Sequence, residues 1–251
     1  MTQQTLTRLR NLKLTGMADA VQQQLEQAST YEGLPFIERL SLLVEHEQLS
    51  REQRKQARLV KQARLKLQAT VQEVDYQSAR NLERSQVANL AQGEWLRRGQ
   101  NLLITGPCGC GKTYLACALG YQACQQGHST RYYRLPRLLL ELSQAKVDGS
   151  YARLLGQLAR IELLILDDWG LEAVNAEQRN ALLEIMDDRY GKYSTIVVSQ
   201  LPTEEWYASL GDNTLADAIL DRLMHNAHRL PLKGESMRKR RSELTQSEQS
   251  S

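Results

Sequence analysis

Eight residues, Gly106, Pro107, Cys108, Gly109, Cys110, Gly111, Lys112 and Thr113, have the spacing Gly-x-x-x-x-Gly-Lys-Thr. Glycine tolerates positive φ, so such a segment can curl until successive N–H groups point inward at phosphate oxygens. An apolar run, Asn101–Thr105, precedes the loop and reads as a strand. A helix starting at Lys112 follows, and its N-terminus adds partial positive charge at the same spot. In that context Lys112 reaches the β- and γ-phosphates, and the Thr113 hydroxyl ligates Mg²⁺. Tyr114, the next residue, completes the expected nucleotide contacts. The ligands implied are ATP and Mg²⁺.

A second apolar run, Leu163 to Leu166, ends on Asp167 and Asp168. Carboxylates at a strand end suit a metal site. Asp167 is expected to hold Mg²⁺ and Asp168 to orient the attacking water, although Asp168 could instead cap the next turn. Aspartate is one methylene shorter than glutamate, so hydrolysis is less secure than binding. A third run, Thr195–Ser199, ends beside Gln200. If its strand lies between the other two, Gln200 or Ser199 faces the γ-phosphate; Gln200 is preferred. Arg222, after Asp221, reads by itself as a surface ion-pair residue or as an arginine finger given to a neighbouring subunit.

These groups need a scaffold. From about residue 95 short apolar runs alternate with helical periods: strands at 101–105, 129–134, 162–166, 194–199 and 227–232, and helices at 112–124, 135–146, 151–158, 176–190 and 215–226. Buried strands alternating with helices predict an α/β fold with a parallel sheet covered on both faces. Residues 1 to about 75 read as all-helical. Leu14, Met17, Val21, Leu25 and Ala28 form one apolar stripe; Gly33 and Pro35 interrupt it; Phe36, Ile37, Leu40, Leu43 and Val44 start another. Positions 50–67 continue as helix, with Leu59, Val60, Ala63 and Leu67 on one side. The expected division is a helical domain at 1–75, a nucleotide domain at 76–243 and a polar, disordered tail at 244–251.

Hydrophobic residues make up 41% and charged residues 24%, as in an ordinary globular chain. No apolar run is long enough to span a bilayer and no signal-type segment opens the chain, so the expectation is a cytoplasmic protein with no membrane role. The cysteines, Cys108, Cys110, Cys117 and Cys124, lack zinc-ligand spacing and read as small core residues. Net charge is only +3, but residues 51–66 carry seven Lys or Arg and one Glu. Arg51, Arg54, Lys55, Arg58 and Lys61 share one helix face. That face reads as a contact to the phosphate backbone of duplex DNA, or more plainly as a solvated surface. Lys233 to Arg241 form a second basic run.

The segments GEWLRRGQNLLITGPCGCGKTYLACALG, LLILDDWG, STIVVSQLPTEEW and ADAILDRLMHNAHRLPLKGESMRKR resemble the IstB-type transposition helper ATPases, AAA+ proteins related to the DnaC helicase loaders. The loop alone would not select this family; Glu94-Trp95, Asp221-Arg222-Leu223 and Gly234-Glu235-Ser236 do. The resemblance spans roughly residues 5–243. It implies a P-loop AAA+ core with a five-stranded parallel sheet, a small helical N-terminal domain, and a reduced or absent C-terminal lid. It also implies a homo-oligomer that forms with ATP on duplex DNA, selects target DNA and stimulates a partner transposase, hydrolysis resetting the assembly. Lys112, Thr113, Asp167, Asp168, Gln200 and Arg222 then take the roles above, with Arg222 acting in trans. Arg238 becomes a possible second sensing arginine, and the adenine contacts fall around Val74–Tyr76. A replicative helicase loader shares the same core and is the alternative. A small-molecule kinase fits poorly with an extra domain that is N-terminal, helical and basic.

Overall fold

The computed structural model describes residues 2–76, 80–211 and 213–234. Arg238 and the polar tail lie outside them. The chain divides into two compact units, residues 1–58 and 59–251. The division falls earlier than the boundary expected at residue 75. Residues beyond 58 pack with the second unit: Leu59 and Ala63 cluster with Cys124, while Ala69 and Val74 join its core.

The first unit contains α1 (Thr2–Asn11), α2 (Thr15–Glu26), α3 (Ala28–Tyr31) and the greater part of α4 (Phe36–Ala63). Its buried face differs from the expected one. In α2 the buried positions are Gly16, Ala18, Ala20 and Gln24, whereas Leu25 is exposed. Close helix approach is the reason. A Cβ on Gly16 would lie 2.7 Å from the Ser50 Cβ and 2.9 Å from the Glu47 Cα, so small residues must face α4 there. The Met17 N–H donates to Glu47 (3.0 Å), and Gln24 exchanges hydrogen bonds with Arg39. The second stripe is split: Phe36, Ile37 and Val44 are exposed, while Leu40 and Leu43 are half-buried. Helix α4 stops at Ala63, four residues before its expected end, because Arg64 takes a left-handed conformation (φ 49°). Leu67 therefore leaves the helical face.

The second unit is built on β1 (Asn101–Thr105), β2 (Thr130–Arg134), β3 (Leu163–Trp169), β4 (Ser194–Ser199) and β5 (Ala227–Pro231). All pair in parallel in the order β2-β3-β4-β1-β5. Connecting them are α5 (Arg84–Ala91), α6 (Glu94–Arg97), α7 (Lys112–Gln125), α8 (Leu135–Val147), α9 (Tyr151–Leu158), α10 (Ala176–Arg189), α11 (Trp206–Leu210) and α12 (Asn213–Met224). Strand side chains alternate between faces. Leu103, Leu164, Leu166 and Val197 pack toward the side containing α8–α12. Leu102, Ile104, Leu163, Ile165, Ile196 and Val198 pack toward α5–α7. Burial on both faces explains why these strands read as continuous apolar runs. Among the described residues, no helix is long and apolar enough to cross a membrane.

One polar residue organises the starting edge of the sheet. The Asn101 side-chain amide donates to the Arg222 and Leu223 carbonyls (3.2 and 3.1 Å), and its oxygen accepts from the Thr195 N–H (2.8 Å). It therefore caps the C-terminal end of α12 against the first residues of β1 and β4.

Candidate nucleotide site

The Gly-rich loop runs from the end of β1 to the start of α7, as the sequence led us to expect. Gly106, Gly109 and Gly111 all have positive φ, and Gly111 immediately precedes α7. Pro107 and Cys108 are exposed at its tip, whereas Cys110, Cys117 and Cys124 are buried free thiols. Cys108 thus departs from the core role read for the cysteines, because the loop tip projects from the sheet. The buried Lys112 ammonium donates to the Gly106 and Pro107 carbonyls, both at 2.7 Å. A cavity of about 330 Å³ opens beside the loop.

Sheet order brings the carboxylates to this cavity. Strand β4 lies between β1 and β3, as anticipated, so the ends of all three strands converge. The Thr113 hydroxyl donates to Asp167 Oδ2 at 2.9 Å, and the buried Tyr132 hydroxyl donates to the same oxygen at 2.6 Å. Burial, and then the contact with Asp167, push the Tyr132 phenol well above its ordinary pKa, so it stays a donor. The Lys66 ammonium lies 3.7 Å from that oxygen. A hydroxyl and a carboxylate this close fit a divalent cation that also draws ligands from phosphate and water.

Asp168 differs in kind. Pairing between β3 and β4 shifts register between Leu166 and Trp169, and Asp168 sits in that irregularity with φ 63°. A bulge re-aims a side chain, and aspartate tolerates the left-handed region better than most residues. The Asp168 N–H donates to Asp167 Oδ1 (2.9 Å), and its carboxylate accepts from Arg134 Nε. That hydrogen bond raises the Arg134 pKa further.

At the end of β4, Ser199 is engaged internally: its hydroxyl donates to the Trp169 carbonyl (2.8 Å) and accepts from the Leu201 N–H (3.0 Å). Gln200 is exposed and lines the cavity. Tyr114 also lines it, its hydroxyl 3.2 Å from Glu73. Of Val74–Tyr76, Asp75 reaches the wall, while Val74 is buried in the core.

Arg222 is elsewhere. It lies in the last turn of α12, beside the first residue of β1, and the loop leaves from the last. Four steps of about 3.3 Å put these ends roughly 13 Å apart along the strand. Its guanidinium pairs with Asp187 and donates to the Ala218 carbonyl. In the first unit and along α4, Arg51, Arg54, Lys55, Arg58 and Lys61 are all exposed. Glu47, one turn ahead of the basic window, pairs with Arg51 (2.6 Å) and Arg54 (3.5 Å).

The family model for IstB-like ATP binding proteins matches residues 7–245. The chain belongs to this family. A relative from Sinorhizobium fredii, an insertion-sequence ATP-binding protein, is 48% identical over 235 residues, covering 94% of this chain and 96% of the relative. Another such protein, from Pseudomonas fluorescens, is 49% identical over 204 residues, covering 81% and 88%. Among solved structures, DnaI superposes with a TM-score of 0.58 at 22% identity, covering 66% of this chain and 91% of that one. The DnaC helicase loader gives 0.57 at 20%, covering 66% and 97%. These likenesses show that about two thirds of this IstB-like chain shares its fold with DnaI and the DnaC helicase loader.

Four side chains at the IstB-like site escaped the sequence reading: Lys66, Arg80, Tyr132 and Arg134. The β2 segment, STRYYR, registered only as a strand. Its neighbour could have been informative, because β2 pairs with β3 with Arg134 opposite Asp167. Tyr132 and Arg134, two residues apart, then share the face that meets the carboxylates. Lys66 and Arg80 belong to no local motif.

Proposed function

We propose that this protein is an ATPase whose nucleotide state controls its assembly on duplex DNA, and that the assembly works with a partner transposase in target selection and insertion. One observation carries the reading. Lys112, Thr113, Asp167, Asp168 and Gln200 gather near one cavity, whereas Arg222 stands at the opposite end of β1. Arg222 can therefore serve a γ-phosphate only when it comes from a second copy. The insertion-sequence names of the relatives support the transposition setting.

In this mechanism the loop N–H groups and Lys112 hold the β- and γ-phosphates. Thr113 and Asp167 would hold Mg²⁺, which supplies charge neutralisation on the phosphate oxygens. Asp168 orients a water and accepts its proton as the water oxygen bonds to the γ-phosphorus and the bond to the ADP oxygen breaks. Gln200 reads the γ-phosphate, and Arg222 from the adjoining copy stabilises the developing charge. Loss of that phosphate weakens the intersubunit contact, so hydrolysis resets the assembly.

The deciding experiment mixes purified protein with duplex DNA and ATP, ADP or a non-hydrolysable analogue, followed by imaging. Oligomers on DNA with ATP but not ADP are expected; a monomer under every condition would remove the trans role of Arg222. Lys112→Ala is expected to retain the fold while weakening ATP binding by about 10- to 100-fold, through loss of charge-assisted hydrogen bonds. Calorimetric titration measures this, and unchanged affinity would detach Lys112 from the phosphates.

The basic face of α4 makes a separate prediction. Reversing charge at Arg54, Arg58 and Lys61 is expected to weaken duplex binding and flatten its salt dependence, by about 0.9 in log–log slope for each phosphate no longer neutralised. An unchanged slope would take this helix out of the interface. Fold likeness to the DnaC loader leaves helicase loading as the second reading. Recovery of a replicative helicase, and no transposase, from a pull-down would favour it.

A further inference from the structure

Arg80 sits against the flank of the Gly-rich loop and lines the same cavity. Its residue is only 6% exposed. Nη1 donates to the Cys110 carbonyl at 3.3 Å, but Nε and Nη2, both inaccessible to solvent, have no hydrogen-bond partner among the described residues. A buried guanidinium with two donors unmatched is a net cost to the fold. The loop makes room for it nonetheless. A Cβ on Gly111 would lie 2.7 Å from Arg80 Nη1, and Gly111 has φ 95°. Glycine is therefore favoured at that position by its backbone conformation, and an added Cβ would also push the Arg80 guanidinium aside.

The segment carrying Arg80 is anchored. The Arg80 carbonyl accepts from the Lys233 N–H (2.9 Å), and the Asn81 amide donates to the Pro231 carbonyl (3.0 Å). Pro231 ends β5 and Lys233 lies just past it. Because β5 and β4 flank β1 on opposite sides, Arg80 approaches the loop from the side away from Asp167, Asp168 and Gln200. Those three residues come from β3 and β4, where the γ-phosphate is read.

We propose that Arg80 is a nucleotide-binding residue, its guanidinium shifting toward the cavity on binding so that Nε and Nη2 donate to acceptor atoms in the part of the nucleotide that ATP and ADP share. A buried guanidinium presenting free donors to a phosphate-binding loop matches an acceptor-rich ligand such as a nucleoside diphosphate. This proposal rests on the nucleotide-site reading above. It explains why the fold retains a costly group: the bound ligand supplies the missing acceptors.

The test is Arg80→Met in the full chain, titrated with MgATP and MgADP beside the unaltered protein, with melting of both ligand-free proteins. Arg80→Met is expected to lose about tenfold or more in affinity for both nucleotides, to a similar degree, while its ligand-free melting temperature stays equal or rises. Arg80→Lys keeps the charge without the fork and is expected to recover only part of the affinity. Unchanged affinity for both nucleotides overturns the proposal. So does a loss confined to ATP, which would move the contact to the γ-phosphate. An Arg80→Met chain that melts earlier, or fails to fold, makes Arg80 a brace of the loop and overturns it as well. If the unaltered protein binds neither nucleotide, the site reading itself fails, a result distinct from these.

Discussion

Arg222→Ala is expected to lower ATP turnover in the DNA-bound assembly by about 10³-fold or more, while isolated subunits bind ATP within about twofold of normal. The two effects separate because Arg222 lies at the far end of β1 from its own loop. Truncation should leave the fold sound: the Asp187 partner is half-exposed, and surface ion pairs contribute little. The Asn101 contacts to α12 involve main-chain carbonyls and survive the change. A mixing assay makes the trans role explicit. Arg222→Ala subunits keep a working loop, and Lys112→Ala subunits keep a working arginine. Either alone should be nearly inactive, yet a mixture should regain part of the turnover. Mixtures no better than their components would argue that Arg222 serves its own subunit or none.

Asp168→Asn is expected to reduce turnover by about 10²- to 10⁴-fold, the range typical for loss of a positioned general base. Nucleotide binding should persist, so DNA-bound oligomers should accumulate with ATP and fail to dissolve. Asparagine is the informative replacement. It has the same size, tolerates the left-handed conformation found at this position, and can still accept a hydrogen bond from Arg134. Alanine would confound lost chemistry with strained backbone. Phosphate release and the lifetime of the DNA complex should be followed together. Normal turnover by Asp168→Asn would assign Asp168 to turn geometry alone. The Arg134 pairing also occupies one oxygen of the Asp168 carboxylate. Turnover therefore depends on how far bound nucleotide and neighbour loosen that pair.

What could be read from the chain follows the range of the interactions involved. The Gly-rich loop, the two aspartates and the five strands are local patterns. Of the strands, β1, β3 and β4 are almost fully buried, so composition reports them directly. The place of Thr195–Ser199 between the other two strands came from likeness to other P-loop ATPases, since nothing in its own residues sets the sheet order. Tertiary contacts were not accessible. In α2 the large apolar residues suggested one face, but close approach to α4 selected Gly16, Ala20 and Gln24. The end of α4 depends on one left-handed residue, Arg64, in a stretch of otherwise good helix formers. Glu47 fell outside the window in which the basic residues were counted, although helix periodicity places it one turn from Arg51. Arg80 and Arg134 gain meaning only when separate segments meet at the sheet edge.

If Arg222 acts in trans as proposed, the distance between loop and arginine along β1 also determines what kind of polymer the subunits would make. A contact that joins one end of a protomer to the other end of the next is heterologous, so every open chain has two unlike ends. One terminal protomer keeps a loop with no incoming arginine, and the other keeps an arginine with no loop to serve. Growth then has a direction, set by β1 itself. The protomer whose loop is unserved retains its ATP longest, so shortening should begin in the interior or at the opposite end.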